Sequence, residues 1–294
     1  MKLLFTSDIH VSRMHLSTLL SVAKKNAVQC IIIGGDIVPH ELSHEKRIGS
    51  VKAQREYLSA EFVPAIREFK ERNPDTLIFL DMANDDYILN RQILQEHEGK
   101  LLGLLHMKVQ RLTEEVDIVG YMSVPITPFM IKDWEKPDTK EDPFPGANIS
   151  LNGYSSISGK KEKYRMNPSS DDTIENDLAL LSQRITKPFI FVSHSPPYGT
   201  DLDVLSSGEN VGSRAVLDFV TRWAKDGRLL ASFHGHIHES PAVSGSICTM
   251  IEGAQCINPG QAAVLKYVLF EMEGIKVSVN QAVAWAGTRQ ESRG

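Results

Sequence analysis

In the stretch "SFHGHIHES", His234, His236 and His238 stand at alternate positions, and alternate side chains of an extended strand share one face. A neutral imidazole nitrogen is a ready ligand for borderline cations. Further donors lie far away in the chain but in similar settings. "LLFTSDIH" delivers Asp8 and His10, "IIIGGD" delivers Asp36, "LIFLDMAND" delivers Asn84, and "FIFVSH" delivers His194. Each polar residue follows a short apolar run. Imidazoles with carboxylates and an amide suit Mn, Fe, Zn, Co or Ni, and the lack of a nearby cysteine disfavours a soft-metal site. Two such ions about 3.5–4 Å apart can clamp the attacking and leaving oxygens of a displacement at phosphorus, with a carboxylate and a hydroxide shared between them.

Something must bring these donors together. The runs "KLLF", "CIIIGG" and "TLIFL" predict strands, separated by helical spacing in "MHLSTLLSVAKK" and over residues 50–71, with another helix over 88–97. This alternation predicts a largely parallel sheet covered by helices. Ligands of such sheets gather beyond the carboxyl ends of the strands, which is where the candidate donors fall. "VQRLTEEVDIVGYMSVP" reads as two strands about an acidic turn. Residues 127–172 are rich in Pro, Gly, Ser, Asp and Lys and too long for a plain connection. This excursion could be a lid holding Trp134 and Tyr154 over a base, an ordinary surface loop, or an oligomer contact. "DDTIENDLALLSQRI" and "SRAVLDFVTRWAK" predict helices, and "PFIFVSH" and "LLASFHGH" predict strands. The tail runs "TMIEGAQCI", "AVLKYVLFEM" and "GIKVSVNQAVAW" predict antiparallel strands closing a second sheet.

A chain of 294 residues fits one large α/β domain or two smaller ones. Donors spread from Asp8 to His238 must fold together to make one site, so a single domain over 1–294 is expected. The net charge of −5 argues against a nucleic-acid surface built on bulk positive charge. No apolar run approaches a membrane span, and the amino terminus lacks the apolar stretch of a signal peptide. Cys30, Cys248 and Cys256 show no pairing pattern. Together these features predict a cytoplasmic protein without a disulfide framework. Homo-oligomerisation stays open.

The ordered set D-x-H, G-D, (G)N, S-H and G-H-x-H, with "SHSPPYGTDLD", "GSRAVLDFV", "GHIHES" and "INPG", resembles the calcineurin-like metallophosphoesterase superfamily, in its bacterial and archaeal predicted-phosphoesterase branch. The resemblance runs from Asp8 to His238. It implies a four-layer α-β-β-α sandwich of two mixed sheets flanked by helices, with two divalent metal ions at the strand ends. It further implies that Asp8, His10 and His238 hold one metal, that Asn84, His194 and His236 hold the other, and that Asp36 bridges. The superfamily pattern places a glycine before the first of its two terminal histidines. Gly235 therefore selects His236 and His238, leaving His234 beside the ligands or in the core.

The pattern breaks at its third motif. Where the superfamily has Gly-Asn-His followed by an acidic residue, this chain has Ala83-Asn84-Asp85-Asp86. Ala83 makes any positive φ or close backbone approach costly. Asp85 occupies the position of the histidine that protonates the leaving group. Neighbouring dications favour a charged carboxylate, so Asp85 is not expected to be an effective acid. Asp36, Asn84 and the metal ligands then carry catalysis. The expected activity is hydrolysis of a small phosphorylated substrate, by preference a phosphodiester and most readily an activated aryl diester, by a hydroxide held between two metals. The alternatives are a phosphomonoesterase, or a metal-binding scaffold with little turnover that recruits protein partners. Arg214, with Ser213 at a helix start, and His40, near His44, Lys46 and Arg47, are candidate substrate contacts. His15, His97 and His106 match no ligand position.

Overall fold

The computed structural model describes residues 1–39 and 50–282. Strand β1 (Lys2–Thr6) leads through helix α1 (Met14–Lys25) to strand β2 (Cys30–Ile33). Helices α2 (Val51–Tyr57) and α3 (Val63–Arg72), joined by a single wide turn over Leu58–Phe62, precede strand β3 (Leu77–Leu80). Helix α4 (Arg91–Gln95) then leads to strand β4 (Gly103–Leu104). Strands β1 to β4 pair in parallel. All four residues of β2 are buried, as expected of a β-branched run covered on both faces.

The hairpin of β5 (Lys108–Arg111) and β6 (Asp117–Tyr121) begins the second sheet. Next come four short strands, β7 (Val124–Pro125), β8 (Glu135–Lys136), β9 (Asn152–Ser155) and β10 (Glu162–Arg165). Helix α5 (Ile174–Ser182), strand β11 (Phe189–Ser193), helix α6 (Arg214–Asp226) and strand β12 (Leu229–Phe233) restore the α/β rhythm. Thr173 and Ser213 cap the two helices, accepting from the backbone N–H of Asn176 and Val216. The short helix α7 (Ser240–Ser244) precedes β13 (Cys248–Ile251), β14 (Ala254–Ile257), β15 (Val268–Glu273) and β16 (Lys276–Ala282).

Two six-stranded mixed sheets result, ordered β16-β15-β1-β2-β3-β4 and β13-β14-β12-β11-β6-β5. Strand β11 shows how they layer. Ile190 and Val192 join the core shared with β1 and β2, while Phe189 and Phe191 join a second cluster with α5 and α6. Alternate residues thus face the opposite sheet and the outer helices. Phe233 of β12 packs against Phe5 and Phe270 of the first sheet, at centroid distances of 5.0 and 4.5 Å. The sandwich α-β-β-α follows, with α1 and α3 buried against the first sheet's cluster.

Two expectations need correction. Only β13 and β14 extend the second sheet; β15 and β16 return to the first, where β15 pairs antiparallel with β1. The reason is that β1, buried along most of its length, needs a partner on both edges, and β2 satisfies only one. The stretch 127–172 is also tied down more firmly than its composition suggests. Ile131, Lys132, Asp133, Trp134 and Glu135 are all buried. Lys132 Nζ lies 2.7 Å from Glu135 Oε2 with both side chains fully buried. The Trp134 indole N–H donates to the Asp86 carbonyl at 3.0 Å, so this ring is core and does not cover a base. Tyr154 is half-buried beneath the Lys161 ammonium, 4.9 Å from its ring centre.

Candidate metal centre

Five strands that end at one rim deliver the donors. Asp8 and His10 follow β1, Asp36 follows β2, Asn84 follows β3, His194 follows β11 directly, and His236 and His238 follow β12. Asp8, Asp36 and His236 hold left-handed backbone conformations, with φ of 57°, 49° and 67°. Such a conformation is uncommon outside glycine and clusters at functional sites. Here it turns the chain sharply off each strand. Gly35, at φ 113°, makes a tight passage: a Cβ there would stand 2.6 Å from both His194 Nδ1 and the Ala83 Cβ. Ala83 itself has no positive φ, and its methyl fills space that Gly35 leaves open.

Gly235 has an equally direct reason. A Cβ there would lie 2.0 Å from Ser7 Oγ and 2.4 Å from Asp8 Oδ2. The following N–H, of His236, donates to Asp8 Oδ2 at 3.0 Å. Asn258 of "INPG" supports the same loop, donating from its amide to the carbonyls of Gly235 and Ile237, each at 3.2 Å. Asp86 does similar work on the other side, accepting from the N–H of Ile37, Val38 and Ala83 at 3.1–3.2 Å. Neither support was evident in the sequence as part of the site, although both lie within or beside its motifs.

The donors converge. His194 Nε2 is 3.0 Å from Asn84 Oδ1, 3.2 Å from Asp36 Oδ2 and 3.7 Å from Asp8 Oδ1. His238 Nε2 is 3.2 Å from Asp8 Oδ1 and 3.1 Å from His10 Nε2. The second oxygen of Asp36 accepts from the Asp85 N–H at 2.9 Å. The His236 ring lies 5.2 Å from that of His194, centroid to centroid. His10, Asp36, Asn84, Asp85, His236 and His238 border one cavity of about 200 Å³, with Asp8 and His194 buried behind them. Among the described residues, three sets of donor atoms lie within 4.8 Å of one another: Asp8, His10 and His238; Asp8, Asp36 and His194; and His10, Asp36 and Asp85. Asp8 belongs to two of these sets, as Asp36 does.

The charge pattern calls for a cation. His194 Nδ1 lies 2.8 Å from the Gly34 carbonyl, which fixes the ring with Nε2 toward three oxygens. A lone pair there would face three acceptors. Burial alone lowers the proton affinity of His194, but the carboxylates of Asp36 and Asp8 outweigh it and raise its pKa to about 9. Burial would raise the Asp8 carboxyl, yet His238, His194 and His10 hold it well below the usual range. Asp8 Oδ1 is buried without a directed hydrogen-bond donor among the described residues. A divalent ion fits this arrangement by taking the place of the proton, since metal binding to such ligands releases protons.

The other candidates are placed elsewhere. The Arg214 guanidinium pairs with Asp142 and stacks 3.8 Å over the Tyr198 ring, so its charge is already engaged. Its helix start is sealed by Asp138, which accepts from Ser213 Oγ and from the Arg214 N–H. His40 lies outside the described residues. His234 is wholly buried, with Nε2 2.7 Å from Ser232 Oγ and Nδ1 shared between the carbonyls of Ser193 and Ser195. Burial pushes its pKa down to about 3. It is a neutral core histidine. Phe129 and Glu239 also border the cavity. Glu239 could have been suspected from its place directly after "GHIH", whereas nothing in the sequence singles out Phe129.

Two facing mixed sheets with carboxylate and imidazole donors gathered at the strand ends form the architecture of a metal-dependent phosphoesterase. The chain belongs to the calcineurin-like phosphoesterase family, whose profile matches residues 1–240. No curated protein matches the chain. Among solved structures, TT1561 of Thermus thermophilus is similar, with 14% identity and a TM-score of 0.54, over 94% of this chain and 96% of that one. A dimetal phosphatase from Danio rerio is also similar, with 11% identity and a TM-score of 0.51, over 92% of each chain. These two share the fold. No helix among the described residues is long and apolar enough to cross a membrane.

Proposed function

We propose that this chain hydrolyses phosphodiesters with the help of two divalent cations. Asp8, His10 and His238 would hold one cation, Asn84, His194 and His236 would hold the other, and Asp36 would serve both. When bound, the pair supplies an activated water as nucleophile and neutralises charge on the phosphoryl oxygens. The protein's part is to fix the donors. The Gly34 carbonyl orients His194, the Asp85 N–H holds one oxygen of Asp36, and the His236 N–H holds one oxygen of Asp8. Because ligands from Asp8 to His238 meet at one rim, we read the chain as one folding unit. Buried free thiols at Cys30 and Cys256 support a reducing, cytoplasmic setting.

The observation that carries the diester preference is the residue after Asn84. Asp85 borders the cavity and lies 3.1 Å from His10, where the family resemblance calls for a proton-donating imidazole. A leaving oxygen gets little help there, so substrates with stable leaving groups are favoured. The test is hydrolysis of bis-p-nitrophenyl phosphate by chelated protein, with and without added Mn²⁺, against p-nitrophenyl phosphate as the matched monoester. Mn²⁺-dependent diester hydrolysis exceeding monoester hydrolysis is expected. Metal uptake with no hydrolysis under any divalent ion would instead support a binding scaffold, and faster monoester turnover would support a phosphomonoesterase.

A further inference from the structure

A second cavity, of about 170 Å³, opens beside the metal-facing one. Phe129, His236 and Glu239 border both. Its remaining wall is largely apolar, with Pro125 of β7 and Ile126 after it, Leu205 and Val211 before α6, and Ile237, beside Thr127 and Asn148. Neither lysine nor arginine lines it among the described residues.

Resting on the phosphodiesterase reading above, the geometry points to a subsite for the ester group that stays on phosphorus: a neutral, ring-sized apolar or aromatic substituent. Three observations carry this. His236 is at once a candidate ligand and a wall of the cavity, so a group attached to the phosphorus would lie beside it. The volume suits one ring, because an apolar cavity of about 150 Å³ accommodates benzene. A methyl group would leave most of it unfilled. The charge disfavours a second phosphate: among the described residues no lysine or arginine lines the wall to pair with one, and the Glu239 carboxylate stands at the shared border. Phe129, 45% exposed and edge-on to His236 at 6.4 Å, offers a face for an aromatic substituent.

The test separates binding from turnover. Diphenyl phosphate and dimethyl phosphate, both poorly activated, are titrated calorimetrically into the Mn²⁺-loaded protein. Diphenyl phosphate should bind about 10-fold more tightly or better. The preference should fall toward unity in Leu205→Trp and in Val211→Trp, each of which fills the cavity, with folding checked by thermal melts. Equal affinities in the unaltered protein overturn the subsite, and that comparison decides even if neither variant folds. A preference that persists unchanged in folded variants also overturns it. Tight diphenyl binding with no hydrolysis of bis-p-nitrophenyl phosphate would uphold the subsite and reject the catalytic reading.

Discussion

His10 Nδ1 lies 3.1 Å from Asp85 Oδ2, while its Nε2 faces His238 at 3.1 Å and Asp8 at 4.0 Å. The imidazole is thus backed by a carboxylate on one side and turned toward the donor cluster on the other. Carboxylates placed behind metal-binding imidazoles orient the ring and raise its basicity, and losing one costs about 10–100-fold in metal affinity or activity. Asp85→Asn should weaken Mn²⁺ binding by that factor, read by titration calorimetry. Unchanged affinity would show that Asp85 does not support His10.

Asp85→His tests the other half of the same position. An imidazole at the cavity border should raise turnover of p-nitrophenyl phosphate relative to the bis ester, by up to the roughly 10²-fold at the low end of general-acid effects. Unchanged monoester turnover in a well-folded variant would count against the assignment of this position.

Gly235 should tolerate no side chain. The added methyl of Gly235→Ala would have to displace Ser7 Oγ and Asp8 Oδ2, the nearest atoms at 2.0 and 2.4 Å. We expect a loss of about 1–3 kcal/mol of stability, typical of overpacking, together with weakened metal binding. A variant matching the parent in both denaturant midpoint and Mn²⁺ affinity would refute this packing account.

His106 should make stability depend on pH away from the metal centre. The residue is half-buried, and desolvation of its ring pushes its pKa down from 6.5 to about 4. Its Nδ1 accepts the Met122 N–H at 3.0 Å, a bond available only to the neutral ring. The unfolded chain takes up a proton below about pH 6.5 and the folded chain does not. The contribution is therefore full above 6.5 and declines as pH falls toward 4, by at most about 3 kcal/mol. His106→Asn, which keeps an acceptor but does not titrate, should flatten the difference in urea stability between pH 7 and pH 5. An unchanged slope would argue that His106 is accessible to protons in the folded state.

Several features of the fold and site were legible because they are local. A strand buried on both faces reads as an apolar run, and a residue closing such a run falls at the rim, so Asp8, Asp36, Asn84, His194 and His236 could be placed there from the chain alone. The glycine at 235 was legible only through the superfamily pattern; its physical reason, the close approach of Ser7 and Asp8 from the other end of the chain, is a tertiary one. The tail was less legible. Alternating strands such as β15 and β16 have the same pattern whichever sheet they join, and only the unfilled edge of β1 decides between them.

The sequence by itself determined the donor types, their order and the strand ends that carry them, because periodicity and short motifs are properties of neighbouring residues. Only the tertiary structure decided which atoms face one another: that His194 points Nε2 at three oxygens, that Asp85 backs His10, that Trp134 is core, and that an apolar cavity adjoins His236. Those relations join residues far apart in the chain. They depend on loop paths, backbone conformations and packing volumes, which no local pattern encodes.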